Sequence, residues 1–205
     1  SAIIAADYIK INRPKKIIKN SSFSQCEEHP FDLANRFNIP YFVLSHNSNA
    51  IVDIVREHSI DLGVIAGARI LDHKIIKLFN RGIINFHPAI LPECRGLDSL
   101  LWSIYNNYPL GVTSHLINQK IDAGKLVMKS KIKILSSDNL CTIHKKIYNL
   151  QLDLIIPSLN QLSLNRDLQI LADHGSYNTY MSEDLQKEVV EKVDSYINFF
   201  SEDHE

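Results

Sequence analysis

In the stretch Ile84-Asn-Phe-His-Pro-Ala-Ile-Leu-Pro-Glu-Cys-Arg-Gly96, Asn85 and His87 lie two residues apart at the end of an apolar run. Residues two apart on an extended strand point to the same side, so an amide N–H donor and an imidazole would face one space together. In open α/β sheets that space, outside the carboxyl end of a strand, is where ligands bind. A hydrogen-bonded structural pair at a strand end would have the same pattern. Asp122 in Ile121-Asp-Ala-Gly-Lys-Leu126 adds a carboxylate on a tight turn whose backbone is freed by Gly124. A carboxylate beside an imidazole raises its pKa, as general acid–base work requires, although alone Asp122 would be an ordinary turn residue. His115, on a strand after Thr113, fits a packed support better than a group touching reactants. Cys94 has no neighbour that would make it a nucleophile.

Those residues need elements to hold them. Ile4, Tyr8 and Ile11 at helical spacing predict a short amphipathic helix over 2–11, ended by Pro14. Strands are expected at 16–20, 41–44, 61–66 and 83–86, alternating with helices at 31–38, 49–59 and from Asp72 to Phe79. That alternation predicts a βαβ sheet. Further on, a helix opens at Asp98, strands cover 110–117 and 125–134, and a long helix from Leu140 is kinked or ended by Pro157. Leu185, Val189, Val193, Ile197 and Phe200 mark a last helix. The expected fold is a Rossmann-like, doubly wound, mostly parallel sheet, with a domain over 1–165 and a helical extension over 166–205. A chain opening on a helix lacks the strand that would precede it, so a first strand is expected to be missing.

The 205 residues are 45% hydrophobic and carry a formal net charge of −1. That is an ordinary globular composition, and near-zero charge argues against a broad nucleic-acid surface. No apolar run approaches the roughly 18 residues of a membrane span and no signal-peptide pattern follows Ser1, so a cytoplasmic protein without membrane or nucleic-acid partners is expected. Cys26, Cys94 and Cys141 have no metal-ligand spacing, and no metal is expected. Six of the seven glycines fall between 63 and 124, which concentrates tight turns around the candidate residues.

Four motifs in order, Asn85-Phe-His-Pro88, Leu91-Pro-Glu-Cys-Arg-Gly96, Gly111-Val-Thr-Ser-His115 and Asp122-Ala-Gly124, make the sequence similar to the 10-formyltetrahydrofolate-dependent formyltransferases. Ala66-Gly-Ala-Arg-Ile-Leu71 resembles the family's folate-pocket strand end. The resemblance implies an enzyme of one-carbon metabolism with 10-formyltetrahydrofolate as co-substrate. It implies that Asn85 hydrogen-bonds the formyl oxygen, that His87 assists, and that Asp122 orients His87 and accepts the amine proton. Arg69, Ile70 and Leu71, with Asp122, would bind the folate; Arg95, Gly96 and Trp102 would bind the acceptor.

Ala89 stands where the family usually has Ser, and Glu93-Cys94 where Lys-Tyr is common, which bears on the acceptor. An anionic small-molecule amine is expected, first a nucleotide-linked amino sugar and second glycinamide ribonucleotide. A formyltetrahydrofolate hydrolase and a non-catalytic folate- or nucleotide-binding relative remain alternatives, and a homodimer is left open.

Overall fold

The computed structural model describes residues 1–7, 9, 13–17, 28–67, 69–164, 167–172 and 174–201. In chain order the elements are β1 (Ile3–Ala5), α1 (Pro30–Arg36), β2 (Tyr41–Val43), α2 (Ala50–Glu57), β3 (Leu62–Val64), α3 (His73–Ile76) and β4 (Gly82–His87). They continue with β5 (Cys94–Gly96), α4 (Ser99–Tyr105), β6 (Gly111–Leu116), β7 (Lys125–Lys131), α5 (Leu140–Asp153), α6 (Ile155–Leu164), β8 (Ser176–Asn178) and α7 (Glu183–Phe200).

The central sheet has the order β3-β4-β6-β7. β3 and β4 are parallel, as the βαβ alternation requires, whereas β4–β6 and β6–β7 are antiparallel. β1 pairs with β2 and β5 with β8, both in parallel, so parallel pairings predominate. The fold is the mixed α/β architecture expected, with a helical C-terminal region.

Ile3–Ala5 is a strand, and the helix expected over 2–11 does not form there. Ile3 and Ile4 are consecutive β-branched residues that pair in register with Tyr41 and Phe42, and such tertiary pairing outweighs a three-residue helical pattern. Of the strand expected over 16–20, Lys16 and Ile17 are irregular and 18–20 lie outside the described residues. Ile17 instead donates its backbone N–H to Gln186 Oε1 at 3.0 Å, which ties this segment to α7.

The helices begin where local chemistry allows. The His29 side chain accepts from Phe31 N at the start of α1, with Pro30 in the first turn, where its missing N–H leaves no bond unmade. Asn139 and Thr142 form a capping box on α5. α5 ends at Asp153, and Pro157 falls in the first turn of α6, where proline is tolerated; the long helix therefore breaks just before that residue.

Ile84 and Phe86 of β4, Val112 of β6, Ile104 of α4, Ile143 and Ile147 of α5, and Val189, Tyr196 and Ile197 of α7 share one core. α7 is thus packed into the same core as the site-bearing strand. A smaller cluster of Ile51, Val55 and Ile75 fastens α2 and α3 beneath β1 through Ile4. Among the described residues no helix is long and apolar enough to cross a membrane.

Candidate active site

β4 delivers Asn85 half-buried and His87 only 3% exposed at its carboxyl end. Neighbouring β6 runs antiparallel, with His115 directly across from Asn85 and Thr113 across from His87. That register gives the motif Gly111-Val-Thr-Ser-His115 its physical meaning. Thr113 Oγ1 accepts from Leu91 N at 3.0 Å and donates to Ala89 O at 2.8 Å, so the hydroxyl clamps the proline-flanked loop. Gln151 on α5 pins β4 between its two polar residues by donating to Phe86 O at 2.7 Å.

His115 is fully buried, and its Nδ1 lies 3.0 Å from Ala123 O. A carbonyl only accepts, so Nδ1 carries the ring proton and Nε2 of the neutral ring is an acceptor. Asn85 Nδ2 sits 3.3 Å from that Nε2 and donates one N–H to it. The orientation of the Asn85 amide follows: the nitrogen, not the oxygen, faces His115, and its second N–H is left for a ligand. Burial pulls the pKa of His115 down to about 4 against the attraction of Asp122, which keeps the acceptor form in place at neutral pH.

Asp122 occupies the left-handed region at φ 46, on the turn whose return Gly124 permits. A side chain on Gly124, itself at φ +106, would strike Leu116 O. The Asp122 carboxylate accepts from Gly96 N at 2.6 Å through Oδ2, while Oδ1 lies 3.4 Å from His87 Nδ1 and 3.9 Å from His115 Nε2. His87 donates Nε2–H to Cys94 O at 2.9 Å. With the proton on Nε2, the neutral ring presents its Nδ1 lone pair to a carboxylate, and burial, outweighing the pull of Asp122, lowers the His87 pKa. Two acceptors thus face one another across a gap that a single incoming proton would bridge. Asn85, His87 and Asp122 come together in the structure with His115 as the hinge between them.

Arg69 donates to Asp7 O at 2.7 Å, and Ile70 is 66% exposed. Asn47 donates to Ile70 O and accepts from Asp72 N, so some backbone groups of this segment are already engaged; Leu71 packs against the α2–α3 cluster. This segment follows β3, on the opposite side of β4 from β6. Arg95 is buried and donates to Ala172 O at 2.5 Å, and Gly96 anchors Asp122. Trp102 donates its indole N–H to Thr179 O at 2.9 Å and meets Tyr105 edge-on, which binds α4 to the C-terminal segment. Among the described residues no group of three His, Cys, Asp or Glu is arranged to hold a metal ion.

β8 gave no signal in the sequence. It pairs with β5 so that Arg95 lies beside Tyr177 and Gly96 beside Asn178. Added side chains on Gly96 and Gly175 would run into Asn178 O and Pro92 O, so the two backbones meet at a distance only glycine permits. The Asn178 side chain completes the join by donating to Arg95 O at 3.1 Å. Cys94, fully buried on this loop, donates weakly to Ser99 O, and burial raises its thiol pKa.

Residues 9–159 match the family profile described as formyl transferase. The methionyl-tRNA formyltransferase of Fusobacterium nucleatum is 25% identical over 158 residues, covering 76% of this chain and 50% of that protein. The chain spans about half the length of the curated relatives it matches. Among solved structures, the formyltransferase PseJ from Anoxybacillus kamchatkensis, in complex with UDP-4,6-dideoxy-4-formamido-L-AltNAc and tetrahydrofolate, superposes with a TM-score of 0.64 at 17% identity, covering 96% of this chain and 97% of that one. A sugar N-formyltransferase from a Shewanella species gives a TM-score of 0.62 at 22% identity, covering 81% and 71%. At these identities the superpositions speak to the fold.

Proposed function

Since the chain belongs to the formyl transferase family, we propose that it transfers a formyl group from 10-formyltetrahydrofolate to the primary amine of a nucleotide-linked amino sugar. The observation that carries this reading is the Asn85 amide, held with its nitrogen toward His115 and its second N–H unused, next to the His87–Asp122 pair. An N–H donor aimed at a position where negative charge develops on a carbonyl oxygen supports acyl transfer, and one such donor contributes about 3–4 kcal/mol.

The amine nitrogen attacks the formyl carbon and the carbonyl electrons move onto oxygen, where the free Asn85 N–H receives them. The attacking nitrogen becomes cationic and loses a proton to Asp122, which shares it with His87 Nδ1 across their 3.4 Å gap. The protonated pair is neutral in sum, with His87 Nε2–H still held by Cys94 O. As the bond from carbon to the folate nitrogen breaks, that nitrogen takes the amine's proton from the pair, and the amide product and tetrahydrofolate leave. Folate is read on the side of Arg69, Ile70 and Leu71, and the acceptor on the side of Arg95, Gly96 and Trp102. The formyltransferase PseJ, solved with a UDP-linked formamido sugar and tetrahydrofolate, shares this fold, which is consistent with a folate-dependent transfer to a sugar-linked amine.

The test is consumption of 10-formyltetrahydrofolate by the purified chain, alone, with amino-sugar nucleotides, and with glycinamide ribonucleotide. Consumption that depends on the amino-sugar nucleotide and falls about 10²–10³-fold in Asn85→Ala is expected. Equal consumption without any amine would show a hydrolase, and no consumption under any condition would overturn the reading.

A further inference from the structure

β5 and β8 border, with the turn before Asp122, an open surface hollow of about 310 Å³ lined by Arg95, Lys120, Ile121 and Tyr177. None of its lining residues belongs to the 69–71 segment read as the folate site. Arg95 precedes Gly96, whose N–H holds Asp122, and Ile121 precedes Asp122 itself, so the hollow borders the reacting centre through covalent neighbours. Its volume is at the lower end of ligand pockets, enough for a ring system with a substituent rather than for a whole nucleotide sugar.

The lining has a specific chemistry. Arg95 and Tyr177 are in register on adjacent strands, so both side chains stand on the same face of the β5–β8 ribbon, while Cys94 and Asn178 are buried. Tyr177 is 54% exposed although the strand that carries it is locked against the loop through Gly96 and Gly175. An exposed aromatic ring on a rigid support is a stacking surface, at low entropic cost. Arg95 and Lys120 add two cationic groups, and Ile121 adds an apolar wall. A planar ring bearing a negatively charged group matches this set. Tyr177 and its strand lie beyond residues 9–159, the span of the family match, so the C-terminal region contributes a wall of the site.

We propose that this hollow binds the nucleoside phosphate portion of the acceptor, with the base stacked on Tyr177 and phosphate oxygens held by Lys120 and Arg95. The inference rests on the acceptor assignment made above and extends it to a residue class and a place. Because Asp122 follows Ile121 on the same turn, a nucleotide seated here lies beside the reacting centre.

The test is calorimetric titration of uridine diphosphate and adenosine diphosphate into the intact chain, with inorganic pyrophosphate and tetrahydrofolate titrated separately. Saturable binding of at least one nucleoside diphosphate, tighter than pyrophosphate, is expected. Tyr177→Ala should weaken it by about fivefold to a hundredfold, as loss of one base–aromatic stack does. Tyr177→Phe, which keeps the ring, should bind like the wild type. Lys120→Glu, on an exposed turn, gives an independent variant if Tyr177→Ala fails to fold, and should weaken nucleotide and pyrophosphate alike. No nucleoside diphosphate binding, binding indifferent to both Tyr177→Ala and Lys120→Glu, or a loss confined to tetrahydrofolate would each overturn the inference. None of these outcomes depends on formyl transfer, which the folate-consumption assay decides separately.

Discussion

Protonation of His115 should both destabilise the fold and turn the Asn85 amide around. His115 Nδ1 donates to Ala123 O and its Nε2 accepts from Asn85, so the folded state holds the neutral ring and its pKa falls from 6.5 to about 4. A base whose folded pKa is depressed gives stability that is complete above the unfolded value and is lost as pH falls toward the folded one, because the unfolded chain then binds more protons. The window therefore runs from about pH 6.5 down to about 4. At about 1.4 kcal/mol per pH unit it is worth about 3 kcal/mol. Once Nε2 carries a proton it needs an acceptor, and Asn85 can supply one only by rotating its oxygen inward. That rotation removes the N–H orientation on which catalysis depends. Histidine side-chain NMR should show one imidazole titrating near pH 4, absent from His115→Gln, and urea unfolding of the wild type should lose stability between pH 6.5 and 4 more steeply than the variant. A His115 resonance titrating near 6.5, or identical pH slopes for the two proteins, would refute the tautomer assignment and with it the orientation of Asn85.

Asp122→Asn keeps an acceptor for Gly96 N–H while removing the charge beside His87, so thermal unfolding should change little and folate consumption with acceptor should fall by about 10²–10⁴-fold. A variant with unchanged turnover would take the proton away from Asp122. Gly175→Ala places a side chain against Pro92 O at φ +97, and should destabilise by at least about 1–3 kcal/mol in chemical unfolding and weaken nucleotide binding with it. Glu93→Ala lies on the acceptor side of the loop, so calorimetric titration of a reduced folate should match the wild type; complete loss of binding would show that the two halves of the site are exchanged.

The central pair was readable because a strand's period of two is a strong local rule, and it placed Asn85 and His87 on one side of an apolar run. What His87 does with each nitrogen was not, since Cys94 O and Asp122 reach it only after the loop and a distant turn have folded back. The sequence around His115 suggests only packing, because its partner across the sheet depends on β6 running antiparallel to β4, a choice no alternation within either segment records. β8 is three residues, Ser-Tyr-Asn, without hydrophobic period, and exists only because β5 offers it an edge. The helical spacing over 2–11 misleads for the same reason in reverse: the identity of β1 is decided by β2, some forty positions away.

The β5–β8 pairing also fixes an order of events in the life of the molecule. The bond from Asn178 to Arg95 closes a stretch of 83 residues, whereas Asn85 and His115 are 30 apart and already joined through adjacent strands. Loop-closure entropy grows with the length enclosed, and contacts distant in the chain are made late. A chain folding as it is synthesised would therefore assemble its amide, imidazoles and carboxylate first, and stay without the Tyr177 wall until the residues around 178 have emerged. Until then Gly96 and its loop lack the strand that rigidifies them, and the carboxylate they hold is correspondingly free. The newborn protein would thus have its reactive groups before it has its selectivity.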